Sequence, residues 1–170
     1  MKIGVIGVGR IGSQIAFLSL MRFRPEKMIL IDTKDLTGDI LDLQHACKGL
    51  WISTKFSTKW ERADAYILCA GRARDEKTRH MTVLLKENRK IADSFVPKLR
   101  KYAKRTIVVT NPSDEICEYL KSRKVNAITA ESILVKMRNG EKSGWKIVKT
   151  KKYTNFGPAV SVIKLMESIL

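Results

Sequence analysis

The sequence contains few cysteines and no long apolar run. Its three cysteines, Cys47, Cys69 and Cys117, are odd in number, widely separated and flanked by apolar residues. This pattern predicts buried thiols in a reducing compartment and excludes a disulfide framework or a zinc site, so we expect no metal. The longest apolar runs, Met28–Ile31 and Ala65–Ala70, have the length of strands, which excludes a membrane span.

Signals for secretion and for finger-type nucleic-acid binding are also absent. Met1 leads directly into a strand-like pattern, so we expect no signal peptide and a cytoplasmic location. The sequence contains no Cys/His finger and no aromatic RNA-binding signature.

Acidic residues are far outnumbered by basic ones. The sequence has 33 Lys and Arg against 17 Asp and Glu, a formal net charge of +16, and the excess is concentrated in Arg72–Arg105 and Lys136–Lys152. A surface this basic attracts polyanions because their binding releases counterions. Solvated, ion-rich surfaces are also common in proteins from hot or salt-rich environments. The sequence favours a solvated surface and leaves weak, non-specific nucleic-acid binding as the alternative.

Short apolar runs alternate with stretches of helical periodicity along most of the chain. With 170 residues, 44% of them hydrophobic, the chain can bury one ordinary core. Apolar runs predict strands at Lys2–Gly7, Met28–Ile31, Trp51–Trp60, Ala65–Ala70, Thr106–Thr110 and Val125–Thr129. Helical spacing predicts helices at Ile11–Met21, Leu36–Leu50, Leu84–Tyr102, Glu115–Lys121 and Phe156–Leu170.

The alternation of buried strands and helices predicts a fold class. Continuous apolar strands separated by helices indicate a parallel sheet covered on both faces, which right-handed crossovers make a doubly wound α/β fold. Ser113 and Asp114 are predicted to cap the helix Glu115–Lys121. The polar segment Arg138–Lys152 is predicted to be a loop or a poorly ordered link.

A glycine-rich turn follows the first predicted strand. Gly7, Gly9 and Gly12 have the spacing of a dinucleotide-binding turn, and Asp32 lies twenty residues beyond Gly12 at the end of the next strand. Such glycines permit a tight turn, a close approach to pyrophosphate and close packing of helix on strand. Asp32 is placed to accept hydrogen bonds from ribose hydroxyls and to repel a 2′-phosphate, which favours NAD over NADP. The alternative is that the glycines serve the turn alone.

Six segments match, in order, the pattern of one known family. They are "GVGRIGSQIAF", "LIDTKDLTGDILDLQHA", "ADAYILCAGRAR", "LLKEN", "VVTNPSD" and "KKYTNFGPAVSVIKLMESIL". Together they resemble the malate/lactate dehydrogenase family over nearly all of residues 1–121 and the C-terminal tail. The resemblance implies a Rossmann fold, NAD as cofactor, hydride transfer to and from a 2-hydroxy acid, and a homo-oligomer paired through the helix at Asp39–Lys48.

The resemblance also implies a cofactor site and a substrate site by position. The implied cofactor residues are Gly7, Gly9, Arg10, Ile11, Gly12 and Asp32 at the adenosine diphosphate, Ala70 and Gly71 beside the adenosine and ribose, and Asn111 facing the nicotinamide and substrate. The implied substrate residues are Arg74, Arg79, Arg138 and Thr154. Asn111 and the three arginines are also the candidates for a catalytic role.

Several positions depart from the family pattern. Arg74 and Arg79 match two arginines of a mobile loop, one polarising the substrate carbonyl and one binding a carboxylate. The Pro-Gly usually found between these arginines is absent, so an ordinary basic loop is the alternative. Arg138 matches a substrate-binding arginine, but Val135 stands where the family has an aspartate. Thr154 matches a threonine of the substrate pocket.

The histidine that relays a proton in the family has no counterpart, because its Gly-Glu-His-Gly segment is absent. The two histidines of the chain are His45, at a helix position remote from the chemistry, and His80, in the basic loop without an evident carboxylate partner. Complete family members have roughly twice this length and carry a second, substrate-binding domain. We therefore expect a dinucleotide-binding domain at residues 1–129 and a shortened remnant of the substrate domain at residues 130–170.

These observations predict an NAD(H)-binding relative of malate/lactate dehydrogenase with little or no turnover. Its small-molecule ligand would be a 2-hydroxy or 2-oxo acid. One alternative is a functional oxidoreductase that uses a substitute acid/base. The other is a basic polyanion-binding module in which the cofactor is structural.

Overall fold

The computed structural model describes residues 1–73, 81–139 and 143–170. The strands in these residues are β1 Lys2–Ile6, β2 Lys27–Ile31, β3 Lys55–Ser57, β4 Ala65–Leu68, β5 Thr106–Val108 and β6 Ala127–Thr129. The helices are α1 Gly12–Phe23, α2 Thr37–Gly49, α3 Met81–Tyr102, α4 Ser113–Ser122, α5 Glu131–Met137, α6 Ser143–Lys151 and α7 Phe156–Ile169.

The six strands form one parallel sheet in the order β3-β2-β1-β4-β5-β6. β1 lies inside the sheet, with Lys2 opposite Lys27 of β2 and Ile3 opposite Ala65 of β4. The chain thus builds one half of the sheet outward from β1, then crosses over and builds the other half from β4. This topology confirms the predicted doubly wound parallel fold.

Apolar side chains of the strands enter two clusters, one on each face of the sheet. Ile3 and Val5 belong to a cluster that also contains apolar residues of α1, α2 and α7. Ile29 and Leu68 belong to a second cluster, which contains residues of α3 and α4. Because both faces are covered, the strands are continuously apolar rather than alternating. Met166 of α7 is fully buried, so the last helix is part of the first cluster.

The predicted cap of α4 is wrong. The helix begins at Ser113 and follows Pro112 in extended conformation, with no side-chain capping hydrogen bond. Ser113 is the first residue of the helix, and its hydroxyl donates instead to a carboxylate oxygen of Glu131 at 3.3 Å. The turn formed by Asn111 and Pro112 therefore starts the helix earlier than the sequence pattern indicates.

The segment predicted as a loop after Arg138 contains a helix. Residues Ser143–Lys151 form α6, whose lysine-rich sequence shows no apolar stripe long enough to predict it. The preceding helix α5 has seven residues and was also not predicted, because two turns are too short for a clear periodicity. The strand predicted at Trp51–Trp60 is restricted to β3.

Three further expectations concern thiols, metals and membranes. Cys47, Cys69 and Cys117 are free, and burial raises the pKa of the Cys69 thiol to about 12. Within the described ranges, no group of three or more His, Cys, Asp or Glu side chains could hold a metal ion. Nor does any helix of those ranges combine the length and the apolar character needed to cross a membrane. The cytoplasmic location stays a prediction.

Candidate functional site

The glycine turn lies at the edge of the sheet where the strands end, which we call the carboxyl edge. Gly7 has a φ of +88°, and a Cβ there would lie 2.5 Å from the backbone nitrogen of Ala70. A Cβ on Gly12 would overlap the carbonyl oxygen of Gly7. These two glycines are therefore required by the fold itself. A Cβ on Gly9, in contrast, would meet no atom within 4 Å, so internal packing does not account for a glycine at this position.

The start of α1 presents backbone N–H groups towards the same turn. No side chain caps this helix, and its first turn has no acidic residue. Unpaired N–H groups and the positive end of the helix dipole favour an anion there. Arg10 adds an exposed guanidinium, which lies 4.4 Å from the ring centroid of Tyr153. The turn is thus suited to a phosphate group that approaches over Gly9.

The carboxylate of Asp32 lies beside the glycine turn at the end of β2. One oxygen accepts a hydrogen bond from the Val8 N–H at 2.6 Å, and the other accepts from the N–H groups of Thr33 and Lys34. Burial raises the pKa of Asp32, but the three backbone hydrogen bonds outweigh it and leave the pKa below its ordinary value of 3.8. Asp32 is therefore ionised at neutral pH and held in one position.

The turn after β4 is locked to the end of β5. The Thr110 hydroxyl donates to the carbonyl oxygens of Leu68 at 3.1 Å and Ala70 at 2.8 Å. A Cβ on Gly71 would collide with the Thr110 methyl group and lie 3.1 Å from the side-chain oxygen of Asn88. Ala70 and Gly71 thus pass close to Gly7 on one side and to β5 on the other.

Asn88 is a structural residue of the site to which the sequence assigned no role. It is fully buried, and its side-chain oxygen accepts from the Arg72 N–H at 2.6 Å. Its amide nitrogen donates to the carbonyl oxygens of Asn111 at 2.5 Å and Arg72 at 3.2 Å. The signal was present, because Asn88 interrupts the buried stripe of α3 between Leu84 and Ala92.

A cavity of about 220 Å³ lies at the carboxyl edge, beside β5 and β6. It brings together three residues expected at the substrate: Asn111, Arg138 and Thr154. Ile11, from the glycine turn, also lines it and so joins the cavity to the cofactor residues. Val135, which stands in place of the family aspartate, does not line the cavity and is 46% exposed.

The cavity also contains a charged residue that the sequence did not single out. Glu131, the first residue of α5, lines it together with Arg138 at the end of the same helix. Of the lining residues that the structure describes, Glu131 is the one carboxylate and Arg138 the one guanidinium. The cavity can therefore bind an anionic group at one end and a hydrogen-bond donor or a proton at the other.

The other residues of interest either lie outside the described ranges or are described away from the cavity. Arg74, Arg79 and His80 lie outside the described residues. His45 is exposed on α2 and is not among the residues of the cavity. Arg72, just before the undescribed segment, pairs with Glu87 through contacts of 2.9 Å to both carboxylate oxygens.

Comparison with solved structures supports this architecture. Malate dehydrogenase from Archaeoglobus fulgidus in complex with NADH matches with a TM-score of 0.86 at 22% identity, over 99% of this chain and 77% of that chain. The apo malate dehydrogenase from Picrophilus torridus matches with a TM-score of 0.80 at 20% identity, over 99% of this chain and 75% of that one. At these identities the similarity shows the fold.

Sequence comparison shows the family. L-lactate dehydrogenase from Fervidobacterium nodosum is 32% identical over 130 residues, which are 71% of this chain and 41% of the relative. L-lactate dehydrogenase from Kosmotoga olearia is 31% identical over 122 residues, which are 67% and 38%. This chain thus spans about two fifths of the length of these curated relatives.

The family model for the lactate/malate dehydrogenase NAD binding domain matches residues 1–133. It confirms the predicted cofactor, NAD, and it covers the glycine turn, Asp32 and Asn111. The chain therefore belongs to the lactate/malate dehydrogenase family.

Proposed function

We propose that the chain holds NAD(H) along the carboxyl edge, with the pyrophosphate over Gly9 and the N-terminus of α1. The open space at Gly9 carries this proposal, because Gly7 and Gly12 are already required by the turn. Arg10 and Ile11 flank the pyrophosphate, and Asp32 accepts hydrogen bonds from the adenosine ribose.

The remaining cofactor contacts follow from the same placement. Ala70 and Gly71 pass beside the adenosine and ribose, and the side chain of Asn111 faces the nicotinamide from the cavity. When bound, NAD supplies a hydride donor and acceptor next to that cavity. All of these proposed cofactor residues lie in 1–129, which supports a dinucleotide-binding domain that ends near residue 130.

The cavity fits a small 2-hydroxy or 2-oxo acid. Arg138 offers a guanidinium to the substrate carboxylate in the planar geometry that such a pair favours. Asn111 and Thr154 offer an amide and a hydroxyl to the reacting oxygen and its neighbours. Arg74 and Arg79 remain proposed substrate residues on the family resemblance alone.

Proton transfer is the step for which this chain is least equipped. Reduction of a 2-oxo acid needs an acid that protonates the forming alkoxide, and the family histidine segment is absent. Loss of a general acid commonly reduces the rate by about a hundred- to ten-thousand-fold. We therefore propose cofactor binding with little or no dehydrogenase turnover. The second candidate, an active oxidoreductase with a substitute acid, is favoured by one observation, the carboxyl group of Glu131 in the cavity.

Substitution of Gly9 tests the cofactor site. We expect Gly9→Val to weaken NADH binding by about tenfold or more, since a side chain there occupies the path of the pyrophosphate to the helix N-terminus. Gly49→Val is the matched control, because a Cβ at Gly49 likewise meets no atom within 4 Å and neither glycine has a left-handed φ. Binding is measured by NADH fluorescence titration. Unchanged affinity in Gly9→Val would show that the pyrophosphate lies elsewhere.

Asp32 is expected to set the preference between the two nicotinamide cofactors. NADPH should bind about tenfold or more weakly than NADH, since its 2′-phosphate meets an ionised carboxylate. Asp32→Ala should bring the two affinities close together. The low pKa of Asp32 means that the group loses its charge only below its ordinary titration range. The 2′-phosphate of NADPH itself gains its second negative charge at about pH 6, so the comparison is made above that pH. The preference should stay constant between about pH 7 and pH 9, and a decline within this interval would contradict the assignment.

Turnover separates the two candidate functions. With oxaloacetate or pyruvate we expect NADH oxidation near or below detection, in a sample that binds NADH normally. Robust turnover would favour the active enzyme, and two variants then locate the acid. Loss of rate in Glu131→Gln would assign the proton to the cavity carboxyl, and loss in His80→Ala would assign it to the loop histidine.

We further propose that two copies pair through α2 and the residues that follow it. Leu41 and Trp51 are 51% and 90% exposed, more than a monomer surface requires of such large apolar side chains. Light scattering should show a dimer or larger assembly, and Trp51→Asn should shift it towards the monomer. Lys124→Asn is a matched control, since both residues are exposed and have positive φ values. A monomeric unaltered protein at high concentration would refute the pairing.

A further inference from the structure

The opposite edge of the sheet, where the strands begin, carries a row of basic residues; we call it the amino edge. Lys2, Lys27 and Lys55 begin three adjacent strands and lie opposite one another in register. Arg105 directly precedes β5. Neighbouring strands lie about 4.8 Å apart, so this row of strand starts extends for roughly 20 Å. Of this row, only Arg105 belongs to the two segments in which basic residues are concentrated along the sequence; Lys2, Lys27 and Lys55 lie outside both.

A depression of about 370 Å³ lies on this edge between the starts of β4 and β5. Two backbone hydrogen bonds join the segment before β4 to the end of α3 at this depression. The Ala63 N–H donates to the Tyr102 carbonyl at 2.9 Å, and the Lys104 N–H donates to the Ala63 carbonyl at 3.0 Å. They bring the exposed side chains of Arg62, Lys101 and Lys104 around one concave surface.

The charge of this depression is poorly compensated. Asp64 is the one acidic residue of its lining, and its carboxylate already accepts the Lys2 N–H at 2.9 Å. Glu61 lies next to it in sequence but is paired with Lys27 at 2.8 Å. In the part of the chain that the structure describes, no acidic side chain forms an ion pair with Arg62, Lys101 or Lys104. Three cations against the single carboxylate of Asp64 leave the depression with a net positive charge, and an anionic partner compensates that charge.

The amino edge is separate from the cofactor site. The strands run from one edge to the other, and the five residues of β1 alone place the two edges more than about 13 Å apart. This distance exceeds the Debye length of about 8 Å at physiological ionic strength. A ligand on the amino edge and NAD on the carboxyl edge can therefore bind at the same time and independently.

We propose that the amino edge binds the phosphodiester backbone of nucleic acid without sequence preference, with phosphates in the depression of Arg62, Lys101 and Lys104. Lys27 is paired with Glu61 and the Arg105 guanidinium donates to the Ile169 carbonyl, so the exposed cations of the depression carry the proposed contacts. Phosphate contacts provide affinity but no sequence information. The lining offers no exposed large apolar side chain for insertion into lipid, since it contains only Ala63, Tyr102 and Ala103 besides charged residues and Tyr102 is half-buried. The proposal goes beyond cofactor binding and does not depend on it.

The experiment is a fluorescence anisotropy titration of a short labelled single-stranded DNA of mixed sequence, repeated at several salt concentrations. The test variant is Lys101→Gln with Lys104→Gln. Its control is Lys86→Gln with Lys90→Gln, which removes the same charge from exposed positions nearer the start of α3. We expect the test variant to reduce the slope of log K against log salt by about 1.4, at about 0.7 per lost phosphate contact, and the control to leave it unchanged.

Three outcomes of this titration would overturn the proposal. Equal losses in both variants would show a response to net charge, and release of DNA by saturating NADH would place the DNA in the cofactor cleft. Binding to phosphatidylserine vesicles without binding to DNA would assign the edge to a lipid surface. Arg62→Gln provides a third, independent position, and circular dichroism melting confirms that every variant is folded. Failure of NADH to bind would refute the proposed function and leave the DNA result standing.

Discussion

The buried side chain of Asn88 is the interaction on which both parts of the carboxyl edge depend. It joins the backbone of Arg72, after β4, to the backbone of Asn111, after β5, and it does so from the middle of α3. Its oxygen and its nitrogen both have partners, so the group is stable only where all three segments are in place. An apolar residue there would remove this hydrogen-bond partner from both the Arg72 N–H and the Asn111 carbonyl. One amide therefore positions both the turn proposed to lie beside the cofactor and Asn111, the residue proposed to face the substrate.

The sequence predicted the sheet because continuous apolar runs are a strong, local signal of buried strands. Runs such as Lys2–Ile6 and Ala65–Leu68 are buried on both sides, and their unbroken apolar character predicts a parallel sheet without any tertiary information. The glycine turn was predictable for a related reason, since a φ of +88° at Gly7 excludes almost every other residue. The start of α4 was not predictable, because the Ser113 hydroxyl donates a hydrogen bond to the Glu131 carboxylate instead of capping its own helix. This hydrogen bond depends on a residue eighteen positions away, so a local sequence pattern cannot predict it.

The candidate substrate residues were predictable only from the family resemblance. Asn111, Arg138 and Thr154 are distant in sequence and carry no local pattern that would unite them, yet they line one cavity. Glu131 could not be found in this way, because it belongs to a short helix that the periodicity did not reveal. Resemblance identifies positions that the family shares, whereas Glu131 is recognised only once the fold places it in the same cavity as Arg138.

The distribution of charge follows in part from the polarity of the parallel fold. Helices that cross over a parallel sheet begin near its carboxyl edge and end near its amino edge, so their dipoles favour anions at the first edge and cations at the second. This accounts for Arg22, Lys48, Lys101 and Lys121, each in the last turn of its helix. The same dipole also reaches Arg62 and Lys104, because Lys104 follows the end of α3 and the Ala63 N–H donates to the Tyr102 carbonyl there. The carbonyl end of one helix corresponds to about half a negative charge, whereas the depression brings together three cations, Arg62, Lys101 and Lys104, and one carboxylate, Asp64. The positive charge gathered there exceeds what one helix terminus compensates, which is the physical basis for proposing an external anion at this edge.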